Sequence, residues 1–453
     1  MYAVFDIGKT NKKFLVFDKN WSVVYEKSVQ FEELPDEDGF PSDDLLKLKH
    51  WVRETFEDVF FHSGLEITEL NVSAYGASFV HIDAMGHAVT PLYNYLKPYP
   101  EALKAKFFES YGPQASFSAR TASPYLGMLN SGLQIYRLKY EQPDIFSRIQ
   151  FSLHLPQYVS FLLGGKAVNE ITGTGCHTGL WDFTQNQLHA WVDNEAVQRV
   201  LPPLFPSDQS QKINFKGKSL SLGPGIHDSS AALVPYLLKI PNQFLLLSTG
   251  TWSIAMNPFN SQPLTEAELN RDVLSYLTFE GHPVKSARLF LGNEHDYQLA
   301  RIAAHFDTSP GFARELNWRE EIFQSVVAGG TINSLQPETM AGTGPEPELK
   351  NRIWDLSTFK SFESAYYQLL WDLSGLQTQS IRLVEGHTPP GEIYIDGGFA
   401  KNTLFTRMIA RRFPERKVFV AEMGQGTALG AALVLHSKEA DLQFPLIFRE
   451  VEK

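Results

Sequence analysis

The chain has few of the features that mark secreted or membrane proteins. Its 453 residues include a single cysteine, Cys176, so it forms no internal disulfide and suits a reducing compartment. No apolar run approaches the roughly 18 residues of a membrane-spanning helix. The chain begins with an apolar strand pattern rather than with a charged and then apolar leader. We therefore expect a cytoplasmic protein without a membrane partner.

Positive charge is also scarce. Lysine and arginine number 40 against 51 aspartates and glutamates, which gives a formal net charge of −11. This balance argues against nucleic acid or an anionic membrane as the main partner. Apolar residues are plentiful, at 43% with 33 phenylalanines, so the cores need neither a disulfide nor a metal to hold them together.

The chain is too long for one core and suits two α/β domains of about 200 residues each. Serine, glycine and proline are dense from Ser219 to Gly225, which is typical of a domain boundary. The sequence therefore predicts domains at residues 1–224 and 225–453.

The first domain shows a recognisable order of elements. The pattern predicts a strand at Trp21–Val29, a helix capped by Ser42, and a buried strand at Leu70–Ser73. A hairpin of Val80–Asp83 and His87–Leu92 is predicted to follow. Three strands, a helix and further strands are typical of a ribonuclease-H-like unit.

A phosphate-binding P-loop is missing, although Gly8-Lys9-Thr10 resembles the end of one. That motif needs a glycine five residues before Gly8, where Ala3 stands, and a helix after the loop. Here a polar turn joins the apolar runs Tyr2–Phe5 and Phe14–Phe17, and both runs predict strands. Such a turn can hold phosphate, because glycine lets the backbone approach an anion and polar side chains add donors.

The first turn offers several groups to a phosphate. The candidates are Lys9, Thr10, Asn11, Lys12 and Lys13. Asp6, at the end of the first strand, can hold a hydrated magnesium ion. An ordinary hairpin is the alternative for this turn taken alone. A second turn, Ser248-Thr249-Gly250-Thr251, also lies between two apolar runs, so the repeat predicts two similar halves that face each other across a nucleotide.

Two later turns add candidate residues. Asp228 follows Gly225-Ile226-His227 at the head of a small-residue helix, where an ordinary N-cap is the alternative. Near the C-terminus, the strand Glu392–Ile395 ends in Asp396-Gly397-Gly398. Paired glycines let an adenosine ring or a phosphate rest on bare backbone.

Taken together, these motifs resemble a known family. The segments DIGKTNKK, GIHDSS, LSTGTWS and IDGGFAKNTLF followed by GTALGAA are similar to those of the FGGY sugar kinases, within the actin, hexokinase and heat-shock ATPase superfamily. The resemblance runs from Val4 to Ala432 and is nearest to the L-rhamnulose and L-fuculose kinases. It implies an α/β fold of two ribonuclease-H-like, actin-like domains with a nucleotide and sugar cleft between them. The implied activity is ATP-dependent phosphorylation of a sugar hydroxyl, with ATP and Mg²⁺ as cofactors.

The resemblance also implies roles for individual residues. Asp228 is the implied general base, and Asp6 holds Mg²⁺ through water. The implied contacts to the phosphates and adenosine of ATP are Lys9, Thr10, Asn11, Lys12, Lys13, Thr251, Gly397 and Gly398. The implied sugar contacts are Gly76, His227, Asp228, Ser229 and Asn293.

Two acidic positions of the family pattern are missing. Gly76-Ala77-Ser78 stands where Gly-x-Asp is expected, and Leu92–Lys97 carries Tyr93 and Tyr95 where an aromatic and acidic motif is expected. The tyrosines are either sugar contacts or loop anchors. The sugar therefore stays open between a deoxyketose, L-rhamnulose or L-fuculose, and a pentulose such as xylulose or ribulose. A non-catalytic sugar sensor on the same fold, a phosphatase and a homodimer also stay open.

Two further clusters are weaker candidates. The segment Gly173–Gly179 places Cys176 beside His177, and we expect an ordinary turn between strands there. Neighbours on a strand point apart, and no third group for a nucleophile is evident. Glu294-His295-Asp296 are adjacent, so they cannot all face one metal ion from a helix.

Overall fold

The computed structural model describes residues 1–329 and 355–453, which form a mixed α/β protein. The described residues group into two compact units. The first unit contains residues 1–241, 275–283 and 423–445, and the second contains 242–274, 446–453 and the described residues of 284–422. These units differ from the predicted division into 1–224 and 225–453, because residues 225–241 and two later segments of chain lie in the first unit.

The sheet of the first unit has seven strands. Its strand Tyr2–Ile7 is antiparallel to Lys12–Phe17 and parallel to Glu69–Ala74, which in turn pairs in parallel with Ile226–His227. The order across the sheet is Gln211–Phe215, Lys218–Leu222, Glu69–Ala74, Tyr2–Ile7, Lys12–Phe17 and Val23–Val29. Parallel strands end at the same edge, so the residues that follow Ile7, Ala74 and His227 come together there.

The predicted strands and first helix of this unit are confirmed, with one correction at a helix cap. The helix spans Leu45–His62 and buries the apolar face that its spacing predicts, including Val52 and Phe56. Ser42 does not cap it. Ser42 lies in a short strand and donates to Leu34 O, while Asp44 Oδ1 accepts the N–H of Lys47 at 2.8 Å.

The predicted hairpin after Gly76 forms only in part. Its turn closes with a hydrogen bond from Asp83 N to His87 O and one bridge between Ile82 and Ala88. The strand Phe79–Ile82 pairs along its length with Phe151–His154 instead. A pairing this distant in sequence leaves no local signal. The other short strands of the unit are Leu34–Pro35, Pro41–Ser42, Trp181–Asp182 and Gln187–Leu188.

Helices cover the sheet and build a second apolar core around Phe107, Tyr136 and Trp191. The remaining helices of the first unit are Glu101–Tyr111, Gln114–Arg120, Ser131–Glu141, Pro143–Arg148, Leu155–Leu162, Ile171–Thr174, Ala190–Asn194, Asp228–Lys239 and Gly426–Leu433.

The second unit repeats the central pattern of the first sheet. Its strand Phe244–Thr249 is antiparallel to Ser253–Asn257 and parallel to Glu392–Gly397. The order across this sheet is Val273–Leu277, Pro283–Leu289, Ser253–Asn257, Phe244–Thr249, Glu392–Gly397, Lys417–Glu422 and Ile447–Glu450. The predicted repeat of strand, turn and strand is therefore present in the backbone.

In the described part of the second unit the helices are Glu266–Leu269, Leu291–His305, Glu320–Gly329, Phe362–Val384 and Thr403–Arg412. Asn402 caps the last of these by accepting the N–H of Phe405 at 3.1 Å. Within residues 1–329 and 355–453, none of the helices combines the length and the apolarity that crossing a membrane requires.

One glycine allows two helices of the first unit to meet closely. Gly430, in Gly426–Leu433, lies against Ala231 O of Asp228–Lys239, and a Cβ at this glycine would overlap that carbonyl. The helix that carries Asp228 at its start is therefore held in place by backbone contact, which leaves no room for a side chain.

We predict that Gly430→Ala lowers the free energy of unfolding by about 1–3 kcal/mol, because the added methyl group forces the two helices apart. The midpoint of chemical denaturation measures this loss. Gly424→Ala is the matched control, since no atom lies within 4 Å of its added Cβ. Equal midpoints for the two variants would contradict the close helix contact.

Candidate active site

Asp228 begins a helix at the shared strand edge of the first unit. It is the first residue of Asp228–Lys239, and His227 before it is the cap residue. Asp228 Oδ1 accepts the N–H of Ser229 at 2.6 Å and its hydroxyl at 3.2 Å. The carboxylate thus lies at a helix N-terminus, where the backbone dipole favours negative charge.

The environments of Asp6 and Asp228 push their pKa values apart. Burial raises the pKa of Asp6 to about 6, the negative charge of Asp228 adds to this, and Lys13 and Ser73 oppose it. Burial alone would raise the pKa of Asp228, but the charge and hydrogen bond of His227, with Ser229, hold it below its ordinary value. Although protein surrounds its carboxylate, 36% of the Asp228 side chain is exposed. Asp228 is therefore an anion that a substrate can reach.

The raised pKa of Asp6 fits the predicted magnesium role. A cation beside this carboxylate would relieve its repulsion with Asp228. Among the described residues, no three histidine, cysteine or acidic side chains form a ready metal site. Mg²⁺ is usually held by one or two carboxylates, with waters and substrate phosphates as the other ligands. A single carboxylate is within this usual range, and the magnesium role of Asp6 stays a prediction.

His227 connects Asp228 to Cys176. Its Nε2 lies 3.1 Å from Asp228 Oδ1 and 3.2 Å from Cys176 Sγ, and its Nδ1 lies 3.3 Å from Ser230 Oγ. The third group that the sequence did not reveal beside Cys176 is thus His227. The segment before Cys176 is also a short helix, Ile171–Thr174, and not the expected turn between strands.

Gly76 makes room for this cluster. A Cβ at Gly76 would lie 3.1 Å from the His227 ring and 3.2 Å from Cys176 Sγ. The predicted sugar-site residues Gly76, His227, Asp228 and Ser229 are therefore adjacent in the structure. Their contact with sugar stays a prediction.

The lysines of the first turn are largely neutralised within the protein. Lys9 Nζ lies 2.5 Å from Asp43 Oδ2 and 2.7 Å from Glu33 Oε1. Lys12 is 2% exposed, lies 3.2 Å from Asp43 and donates to Lys9 O at 2.7 Å. Lys13 donates to Gln425 Oε1 at 3.0 Å and lies 3.6 Å from Glu26 Oε1, and its charge acts on Asp6. The phosphate contacts of all three lysines stay predictions.

The turn itself closes with a hydrogen bond from Gly8 N to Asn11 O at 2.9 Å. Thr10 and Asn11 are exposed, and Asn11 Oδ1 accepts from Gln30 Nε2 at 2.7 Å. A hairpin and a phosphate turn share this backbone, so the phosphate contacts of Thr10 and Asn11 stay predictions.

The structure separates the two tyrosines whose role was open. Tyr93 is buried, and its hydroxyl donates to Glu37 at 2.5 Å, so it is a loop anchor. Tyr95 is half-buried, with its ring 5.9 Å from Lys9 Nζ. Burial raises the pKa of Tyr95, Lys9 lowers it, and Asp228 raises it again. The negative charge of Asp228 therefore contributes to the raised pKa of Tyr95.

The second unit contains a cavity of about 810 Å³ beside its own turn. Two predicted ATP contacts, Thr251 and Gly398, line it. Gly397 lies behind them with a φ of 85°, and a Cβ there would overlap Thr249 O, so no other residue fits. Asn293 is half-buried and donates its backbone N–H to Thr251 O at 3.3 Å. Its contact with sugar stays a prediction.

Several polar residues that line this cavity were not predicted as ATP contacts, among them His295, Tyr366 and Asn402. Asn402 Nδ2 donates to Tyr366 Oη at 2.9 Å, and Tyr366 Oη lies 3.1 Å from His295 Nε2. His295 Nδ1 lies 2.9 Å from Asp296 Oδ1, and burial lowers the pKa of His295. Its place in Glu294-His295-Asp296 was the available signal, but the histidine contacts a tyrosine of another helix, which the sequence does not show.

Comparison with known proteins shows which families the chain is similar to. Residues 241–443 match the family described as carbohydrate kinase FGGY, C-terminal domain. A rhamnulokinase of Halalkalibacterium halodurans is 23% identical over 395 residues, which cover 81% of this chain and 78% of that protein. A rhamnulokinase of Oceanobacillus iheyensis is also 23% identical, over 82% of this chain and 79% of its own.

Solved structures share the fold. A carbohydrate kinase from Novosphingobium aromaticivorans superposes with a TM-score of 0.80 at 24% identity, covering 99% of this chain and 96% of that one. A xylulose kinase from Rhodospirillum rubrum gives a TM-score of 0.76 at 15% identity, covering 99% and 93%. The fold is the two-domain, actin-like ATPase fold of these enzymes. Residues 241–443 thus belong to the C-terminal domain family of the FGGY carbohydrate kinases, and the chain as a whole is similar to carbohydrate kinases over most of its length.

Proposed function

We propose that the protein transfers the terminal phosphoryl group of ATP to a hydroxyl of a ketose, with Asp228 as the general base. The observation that supports this most directly is the state of Asp228, an anion at a helix N-terminus with 36% of its side chain exposed. Phosphoryl transfer asks the protein for positioning, for charge neutralisation and for one group that accepts the hydroxyl proton.

The two carboxylate oxygens of Asp228 have different roles in this proposal. Ser229 and His227 both contact Oδ1, and no contact to Oδ2 is found within the described parts of the chain. Oδ2 is therefore the atom that accepts the proton of the sugar hydroxyl, while Oδ1 fixes the orientation of the carboxylate. A base held in this way acts without first losing other hydrogen bonds.

MgATP, when bound, supplies the phosphoryl group and the cation that neutralises its charge. On the protein side, Asp6 would orient a magnesium-bound water, and Lys13 and the backbone of the first turn would contact phosphate. Thr251, Gly397 and Gly398 would contact ATP from the second unit. Lys9 and Lys12 contribute less in this proposal, because Asp43 already neutralises them.

We propose a deoxyketose, L-rhamnulose or L-fuculose, as the first choice of substrate. The curated relatives described above are rhamnulokinases, and the chain lacks two acidic residues of the wider family pattern. Each buried sugar hydroxyl without an acceptor would cost about 1–3 kcal/mol, which favours a sugar with fewer hydroxyls. A pentulose is the second candidate, because a xylulose kinase shares the fold. The cytoplasmic location and a homodimer stay predictions.

Asp228→Asn should lower turnover by about 100-fold or more, because the amide keeps the shape of the side chain but not its basicity. The KM for ATP should change by no more than about threefold. Asp18→Asn is the matched control at the opposite end of the same sheet, where Asp18 Oδ1 accepts the N–H groups of Asn20 and Ser22. Turnover of Asp228→Asn close to that of the control would contradict the base assignment.

Thr10→Val and Thr251→Val should each raise the KM for ATP at an unchanged melting temperature, because valine keeps the volume but removes the hydroxyl that donates to phosphate. Steady-state kinetics with varied ATP measure the effect. Thr55→Val is the control, since Thr55 is buried and its hydroxyl has no hydrogen-bond partner within the described residues. If both test variants bind ATP normally, the two turns are ordinary hairpins.

A coupled assay of ADP release across ketoses and polyols tests the substrate. We expect kcat/KM for L-rhamnulose or L-fuculose to exceed that for the corresponding full ketohexose by at least about tenfold, which is within the discrimination that a binding pocket supplies. Fructose or glycerol as the best substrate would overturn the deoxyketose proposal and leave the kinase assignment intact.

A further inference from the structure

The only cysteine of the chain contacts the partner of the proposed base. Cys176 is 2% exposed, and its Sγ lies 3.2 Å from His227 Nε2. The short helix before it is fixed by Glu170, whose carboxylate accepts the N–H of Thr172 at 3.0 Å. Thr172 Oγ1 in turn accepts the N–H of His227 at 2.9 Å. The thiol and the imidazole are thus tied together through the backbone.

The hydrogen bonds around His227 determine where its protons lie. The hydroxyl of Ser230 donates to Leu277 O at 2.8 Å, so its oxygen can only accept from His227 Nδ1–H, at 3.3 Å. Nε2 faces two acceptors, Cys176 Sγ and the carboxylate of Asp228. A neutral ring would turn the lone pair of Nε2 towards that carboxylate, which is repulsive. When Cys176 is a thiolate, this geometry favours a proton on both ring nitrogens.

We propose that Cys176 is a positioning residue whose thiolate keeps His227 protonated, so that the imidazolium holds Asp228 ionised and correctly oriented. The proton moves from Cys176 Sγ to His227 Nε2, which gives a thiolate and an imidazolium without any further reactant. The proposal rests on the proposed role of Asp228 as general base. It adds a residue that neither the family resemblance nor the motifs indicate.

The electrostatics of the cluster agree with this arrangement. Burial lowers the pKa of His227, but Cys176 and then Asp228 raise it well above its ordinary value. Burial raises the pKa of Cys176, but the charges of His177 and His227 lower it to about 6.

Two other titratable groups near the cluster stay neutral. Burial raises the pKa of Tyr276, and Cys176 and Asp228 raise it further. Burial lowers the pKa of His154 to about 3. Neither group therefore supplies a charge that could replace the thiolate, and the state of His227 depends on Cys176 and Asp228.

The direction in which loss of the thiolate shifts the pKa of His227 can be predicted. The pKa of His227 is raised in the folded protein, so its charge is present at low pH and is lost as the pH rises through that pKa. Without the thiolate, this pKa falls, and the imidazolium is lost at a lower pH. Cys176→Ser keeps the shape without the charge, and Cys176→Ala keeps neither, so both should move the alkaline limb of kcat down by about one pH unit or more.

Two measurements test the proposal. Because Cys176 is the only cysteine, the difference in ultraviolet thiolate absorbance between the wild type and Cys176→Ser reports this thiol alone. We expect a midpoint near the value of about 6 given by the structure, and His227→Gln should raise it by about two units. The pH profile of kcat for both cysteine variants is the second measurement. A thiol midpoint at its ordinary value of about 8.5, or a wild-type pH profile in Cys176→Ser, would overturn the proposal.

Ser131→Ala is the matched control for loss of a buried polar atom. Ser131 is fully buried, and its hydroxyl has no hydrogen-bond partner within residues 1–329 and 355–453, so its pH profile should match the wild type. Different results would overturn the role of Cys176 and the base role of Asp228 on which it rests. An active Asp228→Asn overturns the base assignment and with it the role of Cys176. An inactive Asp228→Asn together with an unshifted Cys176→Ser overturns the role of Cys176 alone.

Discussion

The candidate site of the first unit depends on parallel strand pairing. Tyr2–Ile7 and Ile226–His227 both pair in parallel with Glu69–Ala74, so Asp6 and Asp228 meet at one sheet edge although they are far apart in sequence. Parallel sheets place functional residues at this edge in many α/β proteins. The pairing also creates an electrostatic conflict, because two carboxylates repel in a poorly solvated place. Burial and then the charge of Asp228 raise the pKa of Asp6, while Lys13 beside Asp6 and His227 beside Asp228 offset the repulsion.

The buried side-chain amide of Asn71 stabilises this arrangement of strands. Asn71, in the shared central strand, donates to Ala431 O at 2.7 Å, and its Oδ1 accepts the N–H of Gly225 at 3.1 Å. It therefore links the turn that leads to Asp228 with the helix that carries Gly430. Because Asn71 is 1% exposed, loss of either hydrogen bond would leave a buried polar group unsatisfied. A polar residue in a buried strand is thus part of what positions the proposed base.

Much of the fold could be predicted from the sequence, because its signals are local. Apolar runs predicted the central strands of both sheets but not all of the strands towards their edges, helical spacing predicted Leu45–His62, and the repeated turn predicted the repeated topology. Contacts between distant residues could not be predicted in this way. The pairing of Cys176 with His227, the neutralisation of Lys9 by Asp43 and the pairing of Phe79–Ile82 with Phe151–His154 all depend on how the chain folds back. The helix cap was predicted at Ser42 but lies two residues later, at Asp44, because serine and aspartate are both favoured cap residues.

The two turns differ in charge but occupy the same place in their sheets, between two antiparallel strands. The first contains three lysines, two of which are neutralised by Asp43, and the second, Ser248–Thr251, contains none. Positive charge is therefore not the property that the repeat conserves within this chain. What both turns retain is a glycine and a threonine between two antiparallel strands, next to a third strand that runs parallel to the first. Backbone N–H groups and hydroxyls recognise phosphate by geometry, so in our proposal Thr10 and Thr251, rather than Lys9 and Lys12, are the equivalent phosphate contacts of the two halves.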